Sequence, residues 1–235
     1  MPQIDEAELF GNAEDQRAYE EFCANQEAVE KFTLDKPALI CRWRMSNKKV
    51  PMLNRHIRAL SERLVQGEPL THNMLSWAKQ HVEWSLAEVD YTARDGVLML
   101  VIDVNDNAAM TVGEYEPLAD TSAKALRARS AEARSEADET GVAPELLAAV
   151  NNGELAFVAP ADEFLCGTAT LIEQLAQTKG IPVTRVDIPA QLKGALFLVS
   201  DEHGVVPADD TDAAEADAAM VTFFADGYEK LRARR

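Results

Sequence analysis

Residues 163–170 read Glu-Phe-Leu-Cys-Gly-Thr-Ala-Thr, an apolar run that reaches a Gly-Thr step at Gly167 and Thr168, with Thr170 close behind. Leu171, Ile172, Leu175 and Ala176 then recur at helical spacing, and Gly180 stops the pattern. A helix N-terminus carries unpaired N–H donors and about half a positive charge, so this step could hold a phosphate. The alternative is that Thr168 or Thr170 only caps the helix. Arg42 and Arg44 are the second candidate pair. A strand repeats every two residues, so the two guanidiniums share a face and could clamp a carboxylate. A solvated pair is the plainer reading. Three histidines, His56, His72 and His81, form no i,i+4 pair in an HExxH context, and no metal site is expected. Cys23, Cys41 and Cys166 are widely spaced and form no CxxC, which argues against a disulfide framework or a cysteine zinc site. Cys166 has no nearby histidine to activate it as a nucleophile.

The elements that would position these groups follow from periodicity. Residues 12–33 read as a helix with Tyr19, Phe22, Cys23, Val29 and Phe32 near one stripe. Residues 36–44 read as a strand, paired as a hairpin with a short strand Val50–Leu53 across the polar turn 46–49. A helix over 54–65 buries Ile57, Leu60, Leu64 and Val65, and Gly67 and Pro69 end it. Thr71 caps a second helix running to about Ala87. Residues 97–104 are almost continuously apolar, as a central buried strand would be, and Met110–Tyr115 suggest another. Residues 117–120 look like a linker. The alanine-rich stretch 121–139 is helical by propensity. Leu146–Val150 and Leu155–Ala159 flank Asn151-Asn152-Gly153, a hairpin whose Asn-Gly step supplies the positive φ of its turn. A strand at 195–199, a short one at 204–207, an acidic loop and a last helix over 218–235 complete the chain.

The composition sets bounds. The chain has 235 residues, 47% of them hydrophobic, and a net charge of −17, which permits a buried core and disfavours nucleic acid and anionic membrane as partners. The acidic start and the lack of any apolar run of membrane-spanning length make a soluble, cytoplasmic protein the expectation.

The order of these elements resembles the class IV (fold type IV) pyridoxal-phosphate enzymes, the branched-chain and D-amino-acid aminotransferases and the aminodeoxychorismate lyases. Four segments carry the likeness: Arg44-Met45 with Lys49–Leu60, Lys124 with Gly141, Gly167–Ile188, and Ala195–Pro207 with Tyr228. The resemblance implies an α/β (α+β) fold, with a small N-terminal α/β domain over 1–118, a β-rich C-terminal domain over 121–235 and a site in the cleft between them. It implies pyridoxal phosphate as cofactor, an amino acid or amino-chorismate-like small molecule as substrate, and a homodimer; the stripe of Tyr19, Phe22 and Phe32 is a candidate contact for it, with docking inside the same chain as the plainer reading. Lys124 would be the catalytic lysine. Gly167, Thr168, Thr170, Arg58 and Glu163 would serve the cofactor, and Arg42 or Arg44 the substrate carboxylate. Departures stand beside the likeness. Phe157 falls where a ring-pairing glutamate is expected, Ala59 replaces an arginine, with Arg58 one residue early, and Ala169-Thr170 replaces Thr-Arg. These departures imply the alternative, a homologue that has lost the cofactor and acts as a ligand-binding or interaction module.

Overall fold

The computed structural model describes residues 17–21, 34–88, 94–187 and 192–233. The architecture is mixed α/β with three sheets. In the first sheet, β1 (Pro37–Met45), β4 (Gly96–Asp103) and β5 (Ala108–Gly113) run antiparallel in the order β1-β4-β5. β4 is the central strand, as its continuous apolar run predicts. Between β1 and β4 come α1 (Leu53–Ser61), a two-residue hairpin of β2 (Leu64–Val65) and β3 (Glu68–Pro69), and α2 (His72–Glu88). Trp43, Leu60, Met74, Trp77, Val82, Leu98 and Leu100 fill the core under these helices.

Two sequence expectations are corrected here. β1 pairs with β4, Arg44 lying opposite Val97 and Ile40 opposite Val101, and not with residues 50–53. Pro51 has no N–H for a ladder, Met52 turns left-handed at φ 58°, and Leu53, His56 and Leu60 bury one face of a helix instead. The helix expected over 54–65 ends at Ser61, because Gln66 and Gly67 both take positive φ and fold Leu64–Val65 back on Glu68–Pro69. Thr71 does cap α2, its Oγ1 accepting from the Met74 amide at 3.1 Å. Residues 17–21 are helical, and Tyr19 packs on the N-terminal core with its hydroxyl 2.6 Å from Gln80 Oε1. The rest of the 12–33 helix, Phe22 and Phe32 included, lies outside the described residues.

The larger sheet has the order β10-β9-β6-β7-β8, formed by β6 (Leu146–Asn151), β7 (Glu154–Val158), β8 (Val183–Val186), β9 (Ala195–Ser200) and β10 (Gly204–Pro207). Only β7 and β8 pair in parallel, because α4 (Gly167–Lys179) makes the crossover between them. The Asn-Gly hairpin forms as read, with Asn152 at φ 52° and Gly153 at 76°. α4 and α5 (Glu215–Arg232) cover one face through Phe157, Ile172, Phe197, Phe224 and Tyr228. α3 (Ala123–Thr140) lies over the other face, with Leu126 packed among Leu147, Leu196 and Leu198. Every residue of β9 is buried, which accounts for its lack of alternation.

Gly141 ties the halves together. It ends α3 at φ 67°, and its carbonyl accepts from the Ile40 amide and from Arg63 Nη2, the latter at 2.7 Å. A Cβ there would sit 1.9 Å from the Ala38 carbonyl oxygen. We expect Gly141→Ala to cost about 2 kcal/mol, combining left-handed strain with a backbone clash. Urea unfolding monitored by far-UV circular dichroism would show the loss; an unchanged midpoint would count against this contact.

Candidate functional site

The expected anion-binding step is built as the sequence suggests. Cys166 is the residue before α4 and gives no side-chain cap, so the amides of Gly167 and Thr168 are open at the helix start. They are not free. Asp201, directly after β9, accepts from the Gly167 amide through Oδ2 at 3.2 Å and from the Thr168 amide through Oδ1 at 2.7 Å. His56 of α1 brings Nδ1 to 3.2 Å from Asp201 Oδ2, in an arrangement too bent for a well-formed hydrogen bond. The Asp201 carbonyl accepts from the Arg44 amide of β1 at 2.9 Å. Burial raises the carboxyl of Asp201 most strongly, yet the His56 imidazole and the Thr168 amide and hydroxyl outweigh it and hold the group at about 2. His56 stacks on Trp43 and lies so close to Gly167 that a Cβ on that glycine would meet Nδ1 at 2.5 Å.

Around this pair lies a cavity of about 40 Å³, lined among others by Cys41, Trp43, Ala59, Arg63, Ala133 and Glu136. That is room for a few waters, against roughly 300 Å³ or more for an ordinary small-molecule site. Ion pairs fill the rest of the cleft. Arg42 meets Glu136 of α3 through both terminal guanidinium nitrogens, Nη1 and Nη2. Arg129 chelates the buried Glu145 at 2.6 and 3.1 Å. Burial pushes the Cys41 thiol up to about 12 and raises that of Cys166, so neither is a ready nucleophile.

Of the remaining predicted site residues, Arg58, Glu163 and Thr170 line one open groove, while Arg42, Arg44 and Lys124 do not border it. Arg42 and Arg44 share a strand face but do not share a partner, since the Arg44 guanidinium lies over the Tyr115 ring, 3.2 Å from its centroid. Arg58 is exposed and donates from Nε only to the Asn54 carbonyl. It borders an open groove of about 530 Å³ between α1, residues 161–165 and α4. Arg55 is the residue that reaches α4, with Nη1 3.1 Å from Thr170 Oγ1. Thr170 in turn donates to the Gly167 carbonyl at 2.8 Å. Glu163 accepts from Arg134 Nη1 through both oxygens at 2.8 and 2.9 Å. Lys124 is exposed. α3 buries Leu126, Ser130 and Ala133, and Lys124 lies about 200° round the helix from Leu126. Ala133 lines the cavity, and Lys124 is about 14 Å from it along the helix axis. The lysine expected to enter the cleft therefore points away from it.

Sequence reading missed His56 and Asp201. His56 carried a usable signal, a polar residue on the buried face of α1 between Leu53 and Leu60. Asp201 carried none, because nothing local marks a residue after a strand as the cap of a distant helix.

No protein-family model matches the sequence, and no curated protein matches it either. Solved structures do match in shape. A candidate 4-amino-4-deoxychorismate lyase from Legionella pneumophila superposes with a TM-score of 0.57 at 12% identity, covering 86% of this chain and 97% of that one. A fold IV transaminase from Curtobacterium pusillum gives 0.56 at 13%, covering 88% and 93%. An aminotransferase from Brucella abortus bound to PLP gives 0.51 at 14%, covering 85% and 95%. This chain has the type IV aminotransferase fold. The type IV cofactor, however, does not fit the residues present. The amides that would take its phosphate are held by Asp201, and no lysine among the described residues lines the cavity. The place of the expected glutamate is Phe157, fully buried in the core.

Proposed function

We propose that this protein is a cofactor-free member of the type IV fold that works as a ligand-binding or protein-interaction module, and that it carries out neither transamination nor lyase chemistry. One observation carries the reading. Pyridoxal-phosphate chemistry starts from a lysine amine inside the site. Among the described residues no lysine is buried, and none lines the cleft cavity or the groove beside α1. Lys124, the resemblance's candidate, stands in solvent near Asp120. The filled cleft supports the same reading, since Arg42–Glu136 and His56–Asp201 link parts of the chain that would otherwise bracket a ligand. No helix among the described residues is long and apolar enough to cross a membrane.

The test is direct. Purified full-length protein mixed with pyridoxal phosphate is expected to show no visible aldimine band, and borohydride is expected to leave its mass unchanged. A visible band together with a reduced adduct mapped to Lys124 would overturn the reading and restore an active enzyme.

A further inference from the structure

The turn that joins β9 to β10 carries Glu202 and His203. Glu145 stands one residue before β6, and β6 pairs with β9 so that Leu146 lies opposite Val199. The register therefore brings three side chains together at one end of the larger sheet. One carboxylate oxygen of each glutamate and one ring nitrogen of His203 all lie within 4.8 Å of one another. The His203 side chain is 5% exposed and that of Glu145 8%. His203 Nδ1 is 3.3 Å from the Tyr115 hydroxyl. With the ring proton on Nδ1, that bond leaves the Nε2 lone pair facing Glu145 Oε1 at 4.0 Å, too far for a hydrogen bond. Two carboxylates and a nitrogen lone pair turned toward one point repel one another unless a cation sits between them. Arg129 answers only part of this. It donates to both Glu145 oxygens, and a carboxylate has about four lone-pair positions, so each oxygen keeps one.

We propose that Glu145, Glu202 and His203 form a binding site for a divalent transition-metal cation of the zinc class. Three ligands of mixed oxygen and nitrogen suit such an ion, with water in a fourth position. Glu145 and Glu202 line the cleft cavity, which has room for that water. Metal-binding imidazoles and carboxylates are commonly held from behind by a further hydrogen bond. Tyr115 supplies it for His203 and Arg129 for Glu145. Donors at about 2.1 Å from zinc stand roughly 3.4 Å apart, so the three groups close in by at most roughly 1.4 Å on binding. Glu145, Glu202 and Arg129 together leave one net negative charge, while Arg42 is matched by Glu136. Arg44, on the Tyr115 ring, moderates the pull, so binding of moderate strength is expected. A protonated His203 paired with Glu145 alone is the competing arrangement, and it predicts no uptake of metal.

The test titrates chelator-treated full-length protein with zinc chloride by calorimetry. Wild type is expected to take up one ion per chain and to gain Tm in zinc. Glu202→Gln and His203→Ala are expected to lose this uptake, whereas His72→Ala, at an exposed position of α2, keeps it. Tyr115→Phe keeps the ring under Arg44 but removes the bond to Nδ1, and is expected to weaken binding by about 10–100-fold. Circular dichroism checks each fold, and if His203→Ala does not fold, Glu202→Gln carries the same decision. Wild type that takes up no zinc below millimolar concentration overturns the site, as does uptake unchanged in Glu202→Gln and His203→Ala. The result does not depend on the cofactor-free reading, whose failure shows separately as a borohydride-trapped lysine adduct.

Discussion

Asp201→Asn is expected to destabilise the protein by about 2–5 kcal/mol and to flatten part of its acid response. The lower figure comes from linkage. The carboxyl ionises at about 2 in the folded chain against an ordinary 3.8, a gap worth about 2 kcal/mol. The upper figure adds the usual cost of about 1–3 kcal/mol for a buried donor left without its acceptor. Asparagine also presents an NH₂ to one of two backbone N–H groups that need acceptors. Because the folded value is depressed, the stabilisation from ionised Asp201 is fully present above pH 3.8 and lost as pH falls toward about 2. The stability gap between wild type and Asp201→Asn should therefore narrow as the pH falls from about 4 toward 2. Urea denaturation of both proteins across that range measures the gap. A gap that stayed constant down to pH 2 would mean that Asp201 titrates like an ordinary carboxyl and does not form the anchor described above.

What the sequence makes legible is local. The β6–β7 hairpin follows from Asn152-Gly153, whose positive φ values need those residue types. The ends of α3 and α4 follow from Gly141 and Gly180, both left-handed. The period of two correctly puts Arg42 and Arg44 on one face of β1. It cannot say that Arg42 turns to Glu136, 94 residues away, while Arg44 turns to Tyr115. The same limit applies at α4. Helix physics marks its start as an anion site, and the anion is a carboxylate 33 residues further on. Lys124 illustrates the opposite case, in which the resemblance supplies a role and the helix period, with Leu126, Ser130 and Ala133 inward, turns the side chain out. Pro51 with Met52 shows how one left-handed residue converts an expected strand into a helix start. Contacts between distant segments decide the site, and no period in the chain records them.

Phe157→Ala is expected to cost about 3–5 kcal/mol, and Phe157→Glu more. Phe157 is fully buried in β7, opposite Ala148 on one side and Arg185 on the other. It is among the largest side chains in a core that includes Ile172, Phe197 and Phe224. Truncation removes the ring's transfer energy and leaves a cavity that the two flanking strands hold open. Glutamate adds a carboxyl to a site lined by hydrocarbon. Arg185 is the nearest candidate partner by register, but it already donates to the Ala161 and Glu163 carbonyls and pairs with Glu173. Restoring the residue expected by resemblance should thus damage the fold without creating a cofactor site, because the glutamate would lie in packed hydrocarbon with no ring to pair with. The measurement is urea unfolding of both variants, with pyridoxal phosphate added to each. A Phe157→Glu protein as stable as wild type that also gained a visible cofactor band would show a cleft able to reopen. Loss of several kcal/mol without a band would show that Phe157 holds the core and that a glutamate at this position does not create a cofactor site.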